Sequence, residues 1–202
     1  MSKKETSLPV NLVKHPRFGS TIRPSGSDVD AETLRKSFWR YSSEKKIFPE
    51  TAIPANIEKQ NYATFPCEWY VDVLRTCRDC RRPFIFYALE QQHWYEVLGF
   101  KLDANCVRCP ECRKTDQTLR RRFQRFSKAV GRPDLSNDEL ATLAEDAVFL
   151  WDNGLLSKHD KLNRIRNQAR RRIPSHPATR EIEALTAALE RRAGGKSRAE
   201  RM

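Results

Sequence analysis

From Phe65 to Cys77 apolar and polar positions alternate. Cys67, Trp69, Val71 and Val73 fall on one side, and Glu68, Tyr70 and Asp72 on the other. A period of two predicts a half-buried β-strand. Pro83–Tyr87 is a second, aromatic run of strand type, so the two would form a hairpin. Leu89–Leu98 then reads as a helix stopped by Gly99, with Trp94, Val97 and Leu98 covering one side. A longer helix is predicted from about Lys114 to Val130, where Leu119, Phe123, Phe126 and Val130 recur at helical spacing and form a buried stripe. Gly131-Arg132-Pro133 ends it.

Further on, the period stays helical. Ser136-Asn-Asp-Glu139 is a capping box, followed by Leu140, Leu143, Ala144, Ala147, Leu150 and Trp151 on one face and a stop at Asn153-Gly154. A second helix is predicted over about 158–171, with Leu162, Ile165 and Ala169 inward. A third is predicted over about 178–192, with Ile182, Leu185 and Leu189 inward. Residues 1–35 contain Pro9, Pro16, Pro24, Gly19 and Gly26 and no sustained periodicity, which predicts a flexible arm. Within it, residues 12–19 have enough apolar character to dock on a folded body. Ser37–Ile47 is aromatic and basic without clean alternation; a short helix and an ordered arm both fit it. The expected division is an arm at 1–35, a first module at 36–132, a three-helix unit at 133–193 and a disordered tail at 194–202.

Within the first module, four cysteines stand as Cys77-Arg-Asp-Cys80 and Cys109-Pro-Glu-Cys112. Each CxxC lets one short turn aim two sulfurs at one point. Two such turns complete a tetrahedral S4 shell, the set that suits one Zn²⁺. All four positions filled by protein leave none for water or substrate, so the expected zinc is structural. The spacer, residues 81–108, is longer than in common four-cysteine sites, and the predicted Leu89–Leu98 helix accounts for the excess. Cys106 could compete as a ligand, but Cys109 and Cys112 mirror the first pair better. Cys67 reads as a core thiol. His93 could hydrogen-bond a sulfur or a backbone carbonyl.

The segment from Cys77 to Phe100 and on to Arg113 resembles the probable zinc-ribbon domain family of mostly bacterial proteins. That family pairs a CxxC, an aromatic strand, a Glu-Gln-x-x-aromatic-aromatic helix, a Gly, and Arg-Cys-x-x-Cys-Arg. Here these are Cys77 and Cys80, Phe84 and Phe86, Glu90 and Gln91, Trp94 and Tyr95, Gly99, and Arg108 to Arg113. Where the family often has Thr or Ser at the helix cap, this chain has Tyr87. The resemblance implies zinc binding and no particular reaction. The expected fold class is α+β: a small zinc-ribbon or treble-clef-like module with flanking strands and helices, followed by a small helical unit. If the second cysteine pair opens the Lys114 helix, the arrangement is as much treble clef as ribbon.

Charge narrows the function. Lys and Arg number 38 against 26 Asp and Glu, for a formal net charge of +12. Such a surplus points to an acidic partner, RNA or DNA first and an acidic protein second. Residues 113–132 carry Arg113, Lys114, Arg120, Arg121, Arg122, Arg125, Lys128 and Arg132 against Asp116 alone. On a helix, Lys114, Arg121, Arg125 and Lys128 share one face, away from the apolar stripe, and are the candidate nucleic-acid contacts. A second basic cluster runs from Lys158 to Arg172. Glu90 has no nucleophile, second carboxylate or open metal position beside it, so no enzyme activity and no small-molecule substrate are expected. No apolar run approaches the roughly 18 residues that span a bilayer, and the N-terminus lacks an export signal. Together with 39% hydrophobic residues, this predicts a cytoplasmic protein. The leading expectation is a non-enzymatic, zinc-stabilised nucleic-acid or ribonucleoprotein module. A protein-interaction adaptor is the alternative, and a redox-active zinc thiolate the last.

Overall fold

The predicted alternation at 65–77 does form a strand, but it is the middle one of three. The computed structural model describes residues 8–62 and 64–199, with 192–199 as backbone. β1 (Lys46–Pro54), β2 (Trp69–Thr76) and β3 (Pro83–Phe86) make an antiparallel sheet in the order β1-β2-β3. β2 pairs Val73 with Phe86 and Leu74 with Ile85 on one side, and Ile47 with Val73 on the other. β1 holds Pro49 and Pro54 and shifts register between Phe48 and Ile53. An edge strand tolerates both, because a proline there costs no ladder bond on the open side.

β2 is not half-buried as its alternation predicts. Tyr70 and Asp72 are as buried as Val71 and Val73. The reason is that the Asp72 side is also covered. Asp72 Oδ1 accepts the Ala88 N–H (2.7 Å) and Oδ2 the Arg23 N–H (3.1 Å). The first of these bonds caps helix α3 (Ala88–Gln92), whose N-cap residue Tyr87 makes no side-chain cap bond of its own. A carboxylate from β2 thus supplies the cap that Tyr87 does not.

This carboxyl makes stability depend on pH. Burial, partly offset by those amides, pushes the Asp72 carboxyl up to about 6. The folded chain therefore favours the protonated form, and its contribution to stability falls as pH rises from about 4 to about 6. The loss amounts to about 2–3 kcal/mol. Denaturant melts of wild type and Asp72→Asn across that range are expected to show wild-type stability declining relative to the variant. Parallel curves would contradict this.

The expected flexible arm is instead folded where it is described. Val13 is buried and its N–H donates to Pro83 O (2.8 Å) beside β3. Ser25 Oγ donates to Ala52 O (2.6 Å) on β1. Asp30 caps α1 (Ala31–Ser37) by accepting the Glu32 and Thr33 N–H groups, and α2 (Trp39–Ser43) follows. Leu34 of α1, Phe38 between the two short helices and Tyr41 of α2 join Ile47, Tyr70, Val73 and Tyr95 in one core. Residues 1–7 of the expected arm lie outside the described residues. The 89–98 helix is realised as α3 continued by a π-helical turn, His93–Val97.

α4 spans Pro110–Ala129, starting earlier than the apolar period indicates. The chain divides into two compact units within it, at Lys114/Thr115, whereas the sequence pattern places the break after residue 132. The physical reason is Phe126, which packs with Leu143, Ala147, Leu150 and Leu162 in the second unit's core. That core is built by α5 (Asn137–Asp152), α6 (His159–Arg172) and α7 (Pro177–Ala199). The capping box forms as read: the Glu139 N–H donates to Ser136 Oγ (3.1 Å) and the Ser136 N–H to Glu139 Oε2 (2.7 Å). α7 continues to Ala199, through most of the expected tail, and residues 200–202 lie outside the described residues.

Candidate metal centre

The first cysteine pair sits on the turn between β2 and β3. Cys77 N–H donates to Arg82 O (2.9 Å) and Arg81 N–H to Cys77 O (3.0 Å), closing a tight knuckle. Arg81 takes a left-handed φ of 61°, a conformation more often given to glycine. Arg78 N–H reaches Val107 O (2.9 Å), tying this knuckle to the segment before the second pair.

The second pair brackets the start of α4. Pro110 takes its first position, where a fixed φ suits the helix and the missing N–H costs no bond. That Pro-Glu within the cysteine pair is the signal that places the helix start before Lys114. Cys109 N–H points at Cys77 Sγ (3.3 Å) and Cys112 N–H at Cys109 Sγ (3.5 Å). Helix N-terminal amides of this kind favour thiolate over thiol.

All four sulfurs lie within 4.8 Å of one another, and Cys80 Sγ and Cys109 Sγ are 3.8 Å apart. A tetrahedron with metal–sulfur bonds of about 2.3 Å has edges of about 3.8 Å, so the cluster has the size of a zinc tetrathiolate. The protonation energetics agree. Burial opposes ionisation of Cys77, but the Cys109, Cys80 and Asp79 amides outweigh it and bring the thiol down to about 6. Burial and the neighbouring thiols hold Cys109 and Cys112 up. Further negative charge beside the first thiolate calls for a dication.

The other candidates stand apart from this cluster. Cys67 Sγ donates to Trp69 O (3.0 Å), and burial pushes its thiol up to about 12. Cys106 is buried beside the tetrad but turned to Arg108 O (3.5 Å), and burial likewise pushes it up to about 12. His93 is exposed and lines a small cleft with Arg17, Phe18 and Leu89.

Glu90 is buried in a tie that sequence reading does not reveal. Its Oε1 accepts from Arg113 Nη2 (2.6 Å) and lies 3.4 Å from His15 Nε2. The Arg113 guanidinium lies 4.9 Å from the Trp94 ring centroid and donates toward Cys106 Sγ (3.5 Å). His15 Nδ1 accepts the Arg17 and Phe18 N–H groups, 3.1 Å each. One carboxylate thus joins the N-terminal segment, α3 and the first turn of α4.

Of the four basic residues read as nucleic-acid contacts, Lys114, Arg121, Arg125 and Lys128 are all exposed on α4. Arg125, however, forks onto Asp146, with Nε and Nη2 each donating at 2.6 Å to a carboxylate that is fully buried. Its guanidinium is committed to the fold of the second unit.

Residues 71–121 match the family described as "Probable treble clef domain". No curated protein and no solved structure matches the chain. The matched range takes in the knuckle, the β2–β3 hairpin and the start of α4, with all four clustered cysteines. Residues 71–121 are thus a zinc-ribbon-like treble-clef domain whose four cysteines, Cys77, Cys80, Cys109 and Cys112, fit one structural zinc ion.

Proposed function

We propose that the protein is a non-enzymatic binding module for RNA or DNA, with zinc as scaffold and the exposed face of α4 as the contact surface. The observation that carries this reading is the composition of that face. Lys114, Gln117, Arg121, Gln124 and Lys128 follow one another at helical spacing, all exposed, with no acid among them. Lysine and arginine hold phosphate, and the interleaved amides suit hydrogen bonding to backbone or base. The net charge of +12 adds long-range attraction. A closed S4 shell offers a substrate no coordination site, in keeping with a scaffold. Cysteines gathered as a metal site rather than spread as a disulfide framework fit a reducing, cytoplasmic setting. Among the described residues no helix is long and apolar enough to cross a membrane.

The test is a triple replacement, Lys114→Gln, Arg121→Gln and Lys128→Gln, which spares Arg125. Folding and zinc content are expected to survive, since exposed charges contribute little to stability. Affinity for RNA and DNA oligonucleotides is expected to fall for every sequence alike. The slope of log K against log salt should flatten by about 0.9 per lost duplex contact, or about 0.7 for single strands. Wild-type protein without measurable affinity at low salt would remove this reading and leave the adaptor. Unchanged affinity in the triple variant would move the contact surface away from α4.

A further inference from the structure

The apolar stripe of α4 is only partly used. Phe126 is 2% exposed in the core of the second unit, whereas Phe123 remains 44% exposed. The loop between α5 and α6 likewise leaves Leu155 45% exposed. Between these two side chains lies a groove of about 340 Å³ that includes Phe126, Val130 and Leu156. Lys158 and Lys161 complete it with two serines, and no acid lines it.

The charge of this groove is selective. Three of the five arginines of α6 are engaged within the second unit: Arg166 with Glu190 (3.0 Å), Arg170 with Glu183 (3.8 Å), and Arg172 with Leu135 O (2.7 Å). The two lysines at the start of α6 are turned to an apolar trough instead. Phe123 is about 200° around α4 from Arg121, so this surface is not the basic face described above.

We propose that this groove docks a short acidic segment of another protein. Two apolar side chains of that segment, three or four residues apart on one helical turn, enter between Phe123 and Leu155. Its carboxylates lie over Lys158 and Lys161. Apolar walls supply the burial, and the paired lysines exclude basic segments and fix the direction. A nucleic acid fits less well, because the walls offer few hydrogen-bond partners for base edges.

The test is a selection of random 16-residue peptides displayed on phage against the zinc-loaded full chain. It is run in parallel on Phe123→Ala/Leu155→Ala and on Lys158→Glu/Lys161→Glu. Enriched peptides are expected to be net negative, with Leu, Ile, Phe or Trp at a spacing of three or four. The best of them should lose about tenfold or more in affinity with either variant, as loss of a central anchor does. The lysine pair touches no core packing, so it reports on the groove even if the apolar pair perturbs the fold. Absent or net-basic enrichment, or affinity unchanged in both variants, would overturn the proposal. So would displacement of the peptide by a 16-nucleotide oligouridylate, which would assign the groove to bases. A dimer in sedimentation that either variant abolishes would give it to a second copy of the chain, and would also overturn it.

Discussion

Removing zinc from the protein is expected to strip hydrogen-exchange protection from β2, β3, α3 and the first turn of α4, while α5, α6 and α7 keep theirs. Cys77 and Cys109 are themselves fully buried and pack with Val13, Phe84, Phe86 and Cys106. The metal centre is therefore a corner of the first unit's core, not an attachment to it. Structural zinc contributes about 10 kcal/mol or more in small modules, comparable to the whole stability of a domain. Exchange in the knuckles should accelerate by about a thousandfold or more. The second unit holds none of the six cysteines, and its core is built from Leu, Ile, Ala and Phe126. Because Phe126 belongs to that core, protection in α4 should recover beyond about residue 115. Equal loss along the whole chain would mean that one cooperative core spans both units.

Arg125→Met is expected to destabilise the second unit by about 3 kcal/mol. Asp146 is fully buried on α5, and both its oxygens are taken by the Arg125 fork. Removing the cation leaves a buried carboxylate with Arg122 at 3.6 Å as its remaining cation. A buried charge stripped of its partner typically costs 3–5 kcal/mol, and the residual contact with Arg122 and the exposed outer edge of the fork place this case at the low end. The double replacement Arg125→Met/Asp146→Leu should recover most of the loss, since no charge is then buried. Denaturant melts of the two single variants and the double close the cycle. A single variant within about 0.5 kcal/mol of wild type would show that the fork contributes nothing to the stability of the second unit.

This case shows why some of the site was legible in the sequence and some was not. Cys77, Cys80, Cys109 and Cys112 were readable because short-range spacing dictates where a CxxC turn can aim its sulfurs. The α5 capping box was readable for the same reason: its partners are three residues apart. Arg125 shares a helical face with Arg121 and Lys128, but its partner Asp146 lies on another helix, and periodicity carries no information about it. β1 was hidden by Pro49 and Pro54, which suit an edge strand but erase its alternation. Asp72 reads as a wet position on a two-sided strand until α3 and Arg23 are seen to cover it. Val13 and His15 belong to a segment whose composition suggests an arm. They are ordered by β3 and by Glu90, which lie far along the chain. The start of α4 was within reach: Pro110 inside the second cysteine pair marks the first helical position.

The most direct test of the account is the extended X-ray absorption fine structure at the zinc edge of the protein, purified under reducing conditions and assayed for metal. The account predicts one zinc per chain with four sulfur neighbours at about 2.3 Å and no light-atom neighbour in the first shell. Cys77→Ser or Cys109→Ser should lose the metal, and Cys106→Ser should keep it with an unchanged spectrum. A nitrogen or oxygen ligand at about 2.0–2.1 Å in the wild-type protein would mean an open coordination position, and would contradict a closed, structural centre.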